Sequence, residues 1–304
     1  MSHIAITGGT GFVGSHVLEQ AAAAGHPVRA LARRIGTGGL FDEQPGREWQ
    51  LGTLHDEAAL AKLCDGADAV IHIAGAVNVP SKALFDLHNN IGTANVVKAA
   101  RHAGVRRFIH VSSLSAREPG LSTYGWSKAE GEARAADAPL PIIVRPPGVY
   151  GPRDTDVLEM FRMAAKGFML LPPPGRASWI HAADLARLLL ALVDDGPSGT
   201  ILEPDDGQPM SHIDTARLIG QAVGRPHLRT LSAPRWLLKV AARGDRLVRR
   251  DAAKLTPDRA RYMAHPDWTS DPAKRPDPTL WRPYIGPEQG FADTARWYCE
   301  HGWL

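Results

Sequence analysis

Apolar and polar residues follow a regular rhythm along the first half of the chain. Short apolar runs bounded by turn residues predict strands covered on both faces, and apolar residues recurring every three or four positions predict helices packed on one side. The predicted strands are 1–7, 28–32, 49–51, 69–74, 107–112 and 141–145. The predicted helices are 15–24, 56–63, 84–102, 124–136 and 182–193.

The turn between the first strand and the first helix is rich in glycine, with Gly8, Gly11 and Gly14 three residues apart. In such a turn the first glycine permits a tight bend, the second lets the backbone approach a pyrophosphate, and the third lets the helix pack closely. The helix N-terminus adds free N–H groups and a partial positive charge for the phosphates. The pattern therefore predicts dinucleotide binding; the alternative is a glycine-rich turn that binds nothing.

Strands that alternate with helices predict an α/β protein, a Rossmann-type doubly wound parallel sheet with helices on both faces. The alternation of strands and helices stops near Gly148. Beyond about residue 200 the sequence predicts irregular structure, and this part contains five of the eight tryptophans. We expect a dinucleotide-binding domain of residues 1–148, to which residues 176–198 return. Residues 149–175 and 199–304 would form a smaller substrate-binding lobe, with most late tryptophans in its core.

The composition of the chain argues against several classes of protein. A net charge of +3 over 304 residues is too small and too dispersed to argue for a nucleic-acid partner. Neither the two cysteines nor the thirteen histidines show metal-ligand spacing, so no metal site is predicted. No apolar run approaches the ~20 residues that span a bilayer, and a core strand at the N-terminus leaves no room for a signal peptide. We expect a soluble cytoplasmic monomer or homodimer, without stable membrane insertion, that binds a small-molecule substrate.

Tyr124 and Lys128 are four residues apart, which places them on one face of a helix. An ammonium beside a phenol lowers its pKa from about 10, so that the tyrosine can exchange a proton with a carbinol or carbonyl oxygen. The pair follows a predicted strand that ends in Ser112 and Ser113, and a serine hydroxyl there can bond the reacting oxygen. The alternatives are a surface Tyr–Lys pair and serines that cap a turn or helix.

Several motifs, in this order, resemble the extended branch of the short-chain dehydrogenase/reductase superfamily over essentially the whole chain. They are the loop 7–14, the segment 73–75, Asn89 before Gly92 and Thr93, and the segments 145–151 and 179–186. The resemblance implies that Tyr124, Lys128 and Ser113 are catalytic, with Ser112 as second choice. Tyr124 would be the general acid in reduction, Lys128 would tune it and hold the nicotinamide ribose, and Ser113 would orient the substrate oxygen.

The resemblance also implies a nicotinamide cofactor and the residues that hold it. These are Gly8, Thr10, Gly11, Phe12, Val13, Gly14, Arg33, Arg34, Leu54, Ala74, Gly75, Tyr124, Lys128, Pro147 and Val149.

Arg33 and Arg34 stand where an NAD-binding fold has an acidic residue, about 20 positions after the glycine loop. No carboxylate occurs between Glu19 and Asp42. Because the planar guanidinium donates two charge-assisted hydrogen bonds to a phosphate, we expect NADP(H), with Arg33 as the main ligand of the 2′-phosphate. The alternatives are NAD and a solvated arginine pair at a strand end.

The chain departs from the sugar-nucleotide members of this superfamily at several positions. Leu114 and Ser115 stand where the dehydratases carry Asp and Glu, which argues against dehydration. The arginine that would hold a sugar-nucleotide diphosphate is displaced to Arg176 or missing. Thr53 replaces the aspartate near adenine, and we expect Asp56, the nearest carboxylate, to cap the next helix.

The leading hypothesis is an oxidoreductase that interconverts a carbonyl and an alcohol on a small to medium, mostly apolar substrate. The alternatives are an epimerase of a (nucleotide-)sugar and a non-catalytic, cofactor-binding regulator on the same fold. We further expect His181 to brace the fold and Asp184 to cap or anchor the helix 182–193. The basic, amphipathic segment 234–250 predicts a packed helix of the lobe; the alternative is contact with a membrane or a lipid-like substrate.

Overall fold

The computed structural model describes residues 2–34, 47–234 and 257–304. Its strands are β1 Ile4–Thr7, β2 Val28–Ala32, β3 Arg47–Leu51, β4 Ala69–His72, β5 Arg107–Val111, β6 Pro141–Val144, β7 Gly148–Tyr150, β8 Phe168–Leu171, β9 Arg176–Ala177, β10 Trp179–His181, β11 Thr200–Leu202, β12 Met210–Ser211, β13 Arg229–Ser232 and β14 Asp267–Trp268. Its helices are α1 Phe12–Ala23, α2 Glu57–Cys64, α3 Lys82–Phe85, α4 Gly92–His102, α5 Thr123–Ala135, α6 Leu158–Ala165, α7 Ala182–Asp194 and α8 His212–Ala222, with two further helices at Pro257–Met263 and Pro287–Glu300.

Seven strands form one parallel sheet in the order β11-β6-β5-β4-β1-β2-β3. Alternate residues of β1 point to opposite faces, so that Ile4 and Ile6 pack towards α1 and α7 whereas Ala5 packs towards α2 and α4. This confirms the predicted α/β fold with a Rossmann-type doubly wound sheet. The strand order reverses between β1 and β4, and such a reversal opens a crevice at the carboxyl ends of the two strands.

Residues 1–148 and 176–198 are called here the sheet domain. Their predicted elements agree with the structure to within a few residues. The largest difference inside an element lies in the predicted helix 84–102, where Asp86–Ile91 forms a π-helical stretch between α3 and α4. A π-helical turn shifts the side chains that follow it and is often found at functional sites. Here it includes Asn89, whose amide reaches the loop after β4.

The prediction that the chain is irregular beyond residue 200 is wrong, because the described residues there include three helices, α8, Pro257–Met263 and Pro287–Glu300. Pro287 occupies the first turn of its helix, where the missing N–H costs nothing, so the proline marks a helix start. The structure also adds β11 to the central sheet, just beyond the segment 176–198 that was predicted to return to it. The division into two domains stays a prediction.

The late tryptophans lie in more than one cluster. Trp297 and Trp303 pack on the aromatic core of the lobe, around Phe291 and Tyr298. Trp281 instead packs in the core of the central sheet, and its indole N–H donates to the Asp184 carbonyl oxygen at 3.0 Å. Trp236 lies outside the described residues, together with nearly all of the segment 234–250. In the part of the chain that the structure describes, no helix has the length and apolar character needed to span a bilayer.

Candidate active site

The glycine-rich loop lies tightly against the ends of β1 and β4. Gly8 has a φ of +78°, and a Cβ there would lie 2.6 Å from the Ala74 backbone nitrogen. A Cβ on Gly14 would overlap the Gly8 carbonyl oxygen, so the start of α1 can approach the loop only with glycine at this position. Gly11 is the N-cap of α1 and makes no side-chain capping bond, and the first turn carries no acidic residue. The loop therefore presents helix N–H groups at the carboxyl edge of the sheet, an arrangement suited to phosphate.

Tyr124 lies in the first turn of α5, which is capped in two ways. The Ser122 hydroxyl accepts a hydrogen bond from the Gly125 amide at 2.9 Å. The Asp258 carboxylate, from the helix Pro257–Met263, accepts from the Thr123 amide at 2.9 and 3.1 Å. Satisfying these free N–H groups holds the start of the helix in place beside the end of β5.

The Tyr124 phenol lies beside Ser113. Burial raises the pKa of Tyr124 above its usual value; Ser113 lowers it, and the Asp156 carboxylate raises it. The expectation that Lys128 lowers this pKa is therefore wrong for the structure, because burial is the largest influence and Lys128 is not among the groups that shift it. A phenol with a raised pKa stays protonated at neutral pH and is able to donate its proton.

Lys128 lies one helical turn further along α5 and points back at β5. Its ammonium donates to the Val111 carbonyl oxygen at 2.7 Å, and a Cβ on Gly75 would lie 3.8 Å from the Nζ atom. Burial lowers the pKa of Lys128 to about 8, against the opposing effect of the Glu132 carboxylate. The side chain thus fills the space between the strand end and the loop after β4.

Asn89 ties this loop to the catalytic helix. Its carbonyl oxygen accepts from the Ala76 amide at 2.6 Å, and its NH₂ group donates to the Ala76 carbonyl oxygen at 2.9 Å and to the Ser127 hydroxyl at 2.8 Å. The same carbonyl oxygen would lie 2.9 Å from a Cβ on Gly75, so a side chain at that position would disturb the arrangement.

Ser112 and Ser113 have different partners because neighbouring residues of an extended segment point in opposite directions. The Ser112 hydroxyl donates to Glu132 at 2.5 Å, and Glu132 also holds Arg145 through two hydrogen bonds of 2.8 and 2.6 Å. Ser113 alone of the two meets Tyr124, and its hydroxyl also accepts from the Ser115 amide at 3.2 Å. This geometry favours Ser113, the first choice from the sequence.

Sequence reasoning did not identify Glu132, although a signal was available. It follows Lys128 by four residues, just as Lys128 follows Tyr124, so all three share one face of α5. Beyond Arg145 the charges continue to Glu203, whose carboxylate lies 3.6 Å from the Arg145 guanidinium and 3.4 Å from the Lys274 ammonium. This buried network ties the end of β6 to the lobe.

Two buried histidines behind the site were also not identified. The His72 ring is bonded to the Thr7 hydroxyl at 2.6 Å and to the Thr93 hydroxyl at 2.9 Å, and it stacks on His110 with ring centroids 5.3 Å apart. Burial lowers the pKa of His72 to about 3 and that of His110 well below its usual value. Both rings are therefore neutral at pH 7 and belong to the packing beneath the site.

The remaining predicted cofactor residues extend along the same edge of the sheet. Thr10 is exposed, and Phe12 and Val13 are half-buried in the first turn of α1. Leu54, after β3, packs against Gly92.

Pro147 follows β6, and Val149 belongs to β7, which pairs with β10. Arg33 and Arg34 follow β2 and are exposed, on the side of β1 opposite to Tyr124. Burial lowers the pKa of His88, and the nearby His55 and Arg33 lower it further, which indicates that these three basic groups face each other.

Several structural expectations are confirmed. Asp56 caps α2 by accepting from the Ala59 amide at 3.0 Å. His181 is the N-cap of α7, and its ring accepts from the Ala183 amide at 3.2 Å. Asp184 anchors α7 to the lobe, because its carboxylate accepts from the Tyr284 and Ile285 amides at 2.9 Å.

The positions that distinguish a dehydratase carry no acid–base pair in this structure. Leu114 and Ser115 are buried in a 3₁₀-helical turn, Leu114–Arg117. Arg176 is exposed on β9 and donates to the Pro209 carbonyl oxygen at 3.0 Å. Among the described residues, no group of three or more His, Cys, Asp or Glu side chains is placed to hold a metal ion.

Comparison with known proteins agrees with this geometry. The model of the NAD-dependent epimerase/dehydratase family matches residues 4–203. A ceramide reductase of Caulobacter vibrioides is 36% identical, covering 99% of this chain and 96% of that protein. Sterol demethylase protein B of Methylococcus capsulatus is 27% identical, covering 98% of this chain and 99% of that protein. The crystal structure of gox2253 has the same fold, with a TM-score of 0.77 and 24% identity over 100% of this chain and 99% of that one.

A family model that covers most of the chain, and a relative that covers nearly all of it, agree with the motifs at the sheet edge. The chain therefore belongs to the NAD-dependent epimerase/dehydratase family, within the extended short-chain dehydrogenases/reductases, and is a nicotinamide-dependent enzyme of that type.

Proposed function

We propose that the protein is a reductase that uses NADPH to convert a carbonyl group of an apolar, lipid-like substrate into an alcohol. One observation carries this proposal: Tyr124 lies beside Ser113, and Lys128 reaches the same end of β5, while Leu114 and Ser115 supply no acid–base pair for elimination. A site with a single proton donor beside a cofactor fits hydride transfer to a carbonyl better than it fits dehydration.

The residues present fit a nicotinamide dinucleotide. The loop Gly8–Gly14 and the uncapped start of α1 would hold the pyrophosphate, and Lys128 would hold hydroxyls of the nicotinamide ribose. Gly75 leaves room beside Asn89 and Lys128 that a larger residue would fill. The cofactor supplies the hydride, and the protein supplies alignment and the proton.

The proton comes from Tyr124. Its phenol is protonated at neutral pH and acts as the general acid on the carbonyl oxygen, although burial, which raises its pKa, makes the proton harder to give up. Ser113 donates a second hydrogen bond to the same oxygen and stabilises the charge that develops there. Lys128, with a pKa of about 8, is largely charged at pH 7 and can donate hydrogen bonds to the hydroxyls of the nicotinamide ribose.

The substrate class rests on the relatives and on the surroundings of Tyr124. The two relatives described above are named for a ceramide and a sterol, which are both largely apolar lipids. Next to the phenol lies the Phe85 ring, with centroids 6.2 Å apart. We infer an apolar cleft between the sheet edge and the lobe, with its polar contacts concentrated at Ser113 and Tyr124.

A substrate screen tests the proposed function. Long-chain and steroid ketones are supplied with NADPH, and UDP-sugars with either cofactor, and nicotinamide absorbance is followed. Net oxidation of NADPH with the lipid ketones is the expected result. Interconversion of sugars without net cofactor turnover would instead identify an epimerase. Cofactor binding without any turnover would favour a non-catalytic regulator.

The preference for NADPH rests on Arg33 and Arg34, which are exposed after β2 with no carboxylate in the sequence between Glu19 and Asp42. Losing a charge-assisted hydrogen bond from Arg33 costs about 1.5–3 kcal/mol, so Arg33→Ala should weaken NADPH binding about 10- to 100-fold and leave NADH binding unchanged.

Titration of each nicotinamide's fluorescence measures both affinities. Arg296→Ala, which removes another exposed arginine from the helix Pro287–Glu300, is the control and should change neither affinity. Tighter binding of NADH than NADPH by the unaltered protein would contradict this assignment.

A further inference from the structure

A small parallel sheet in the lobe, formed by β8 and β13, has an apolar outer face. Along β8 the residues alternate: Phe168 and Leu170 are 50% and 49% exposed, whereas Met169 and Leu171 are buried. Leu170 pairs in register with Leu231 of β13, which is 68% exposed. Since paired residues of neighbouring strands point to the same side, Phe168, Leu170 and Leu231 form one stripe, called here the β8–β13 face.

The inner side of the same sheet behaves as an ordinary core. Met169 and Leu171 are 1% and 2% exposed and pack with Phe161 of α6 and Ile219 of α8. The outer side chains are as large and as apolar as the inner ones, yet nothing in the described part of the chain covers them. Contiguous exposed apolar side chains of this kind mark a surface that meets a partner or a membrane.

Three exposed cations border the β8–β13 face. Arg229 pairs in register with Phe168, and its amide donates to the Gly167 carbonyl oxygen at 3.2 Å. Arg225 donates through Nε to the Ala165 carbonyl oxygen at 3.2 Å, which places it beside Lys166.

The two segments that carry the face, 166–171 and 225–234, contain no carboxylate. The face is therefore apolar at its centre and positively charged at its margin.

The apolar centre and the positive margin of the β8–β13 face indicate which partner can bind there. In a symmetric pair of chains the same surface meets itself, so Lys166, Arg225 and Arg229 would face a surface of the same positive charge and be repelled by it. Three apolar side chains also fall far short of the roughly 800 Å² per partner of a stable protein interface. A bilayer with anionic headgroups, in contrast, accepts apolar side chains at its surface and attracts each nearby lysine or arginine.

We propose that the β8–β13 face docks the protein on the surface of an anionic lipid bilayer. Phe168, Leu170 and Leu231 enter the boundary between headgroups and acyl chains, and Lys166, Arg225 and Arg229 contact the phosphates. The attachment is peripheral and reversible, because three side chains cannot anchor a protein permanently. The proposal rests on the exposure and charge of this face and not on the proposed substrate.

Vesicle flotation of the full chain tests the proposal. Vesicles of mixed phosphatidylglycerol and phosphatidylcholine are compared with vesicles of phosphatidylcholine alone. The unaltered protein should float with the anionic vesicles and not with the neutral ones. Binding should weaken in about 1 M salt, where charges are screened beyond about 3 Å.

Two double variants separate the apolar and the charged contributions. Phe168→Ser with Leu231→Ser should lower the partition coefficient about tenfold or more, because it removes apolar area. Lys166→Glu with Arg229→Glu should lower it by at least about twentyfold, at about fivefold for each cation lost. Leu140→Ser with Tyr284→Ser removes two side chains that are 45% and 76% exposed elsewhere, and should float like the unaltered protein.

Melting temperatures equal to that of the unaltered protein establish that the variants are folded. The proposal is overturned if the unaltered protein does not float with anionic vesicles, or if both double variants float as well as it does. It is also overturned if sedimentation shows a dimer that Phe168→Ser with Leu231→Ser dissociates while flotation stays the same, since the face would then join two copies of the chain.

Discussion

Two buried histidines of the sheet domain and two buried aspartates of the lobe have pKa values shifted in opposite directions. In and beside the central sheet they include His16 and His72, whose pKa values burial lowers to about 4 and about 3. In the lobe they include Asp154 and Asp206, whose pKa values burial raises to about 7. Burial disfavours the charged form of all four groups, so it favours the protonated form of the two aspartates and the deprotonated form of the two histidines.

The two histidines and the two aspartates therefore contribute to stability in opposite directions as the pH changes. The unfolded chain binds a proton on each histidine below about pH 6.5, so the sheet domain loses stability as the pH falls from there towards about 3. The folded lobe binds protons on its aspartates below about pH 7, whereas the unfolded chain does so only near pH 4. These two aspartates thus increase stability as the pH falls through that window and decrease it as the pH rises.

The sheet domain and the lobe also differ in their proposed roles in the reaction. The groups proposed to be catalytic, Ser113, Tyr124 and Lys128, belong to the sheet edge and to α5. The lobe contributes contacts that hold this edge, such as Asp258 on the Thr123 amide and Lys274 in the Glu203 network. We infer that the sheet domain carries the reaction and that the lobe determines the substrate and supports the geometry.

Replacing Tyr124 is the strongest test of this division. Tyr124→Phe removes the proposed general acid and keeps the ring, so turnover should fall about 100- to 10,000-fold while cofactor affinity stays nearly the same. Steady-state rates with a responsive carbonyl substrate and a fluorescence titration of NADPH measure the two effects. Tyr284→Phe, at an exposed tyrosine of the lobe, should retain full turnover. Substantial activity in Tyr124→Phe would mean that another group donates the proton.

The same division explains how much the sequence could predict. In the sheet domain the signals are local: Gly8 and Gly14 are read from one loop, and Tyr124 and Lys128 from one helical turn. The regular sheet then brings these local groups together, because the carboxyl ends of parallel strands share an edge.

The remaining site contacts join residues that are far apart in the chain. The bond from the Thr123 amide to Asp258 spans 135 residues, and the indole of Trp281 reaches Asp184 across 97. No spacing rule connects such pairs, since they depend on how the lobe returns to the sheet. The direction of the Tyr124 pKa shift could likewise not be predicted from the sequence, because it depends on burial.

A substitution at Asp154 would sharpen the contrast in pH response. Asp154 is buried, and Asp154→Asn keeps the Oδ1 atom, which accepts from the Asp156 amide at 2.8 Å. The variant should be about 1–3 kcal/mol more stable than the unaltered protein at pH 8, where the aspartate is ionised, with the difference disappearing near pH 4. Denaturant unfolding at a series of pH values measures this.

Asp137→Asn, at an exposed aspartate, should leave the pH profile unchanged. The loss of stability at low pH that is due to His16 and His72 should persist in Asp154→Asn, because both rings remain unprotonated in the folded state. A variant that is no more stable than the unaltered protein at pH 8 would show that Asp154 is not held protonated by burial.

The smallest expected effect lies where the two regions meet. Asp258 belongs to the lobe, and its carboxylate caps the helix that carries Tyr124. Asp258→Ala leaves the Thr123 amide without this acceptor and should cost about 1 kcal/mol of stability. A less firmly held Tyr124 should lower kcat about two- to tenfold, since small displacements weaken proton transfer, while the dissociation constant of NADPH stays unchanged. Asp258→Asn, which keeps an acceptor oxygen, should recover part of the rate.

Asp271→Ala is the matched control, because Asp271 caps a 3₁₀-helical turn of the lobe by accepting from the Ala273 amide at 3.0 Å. It removes a similar bond from a segment without proposed catalytic residues, so it should lower stability and leave kcat unchanged. If Asp258→Ala and Asp271→Ala behave alike, the contact with Thr123 only stabilises the fold. A loss of kcat in Asp258→Ala alone would show that the lobe positions the proton donor, so that the two regions are joined at the catalytic helix.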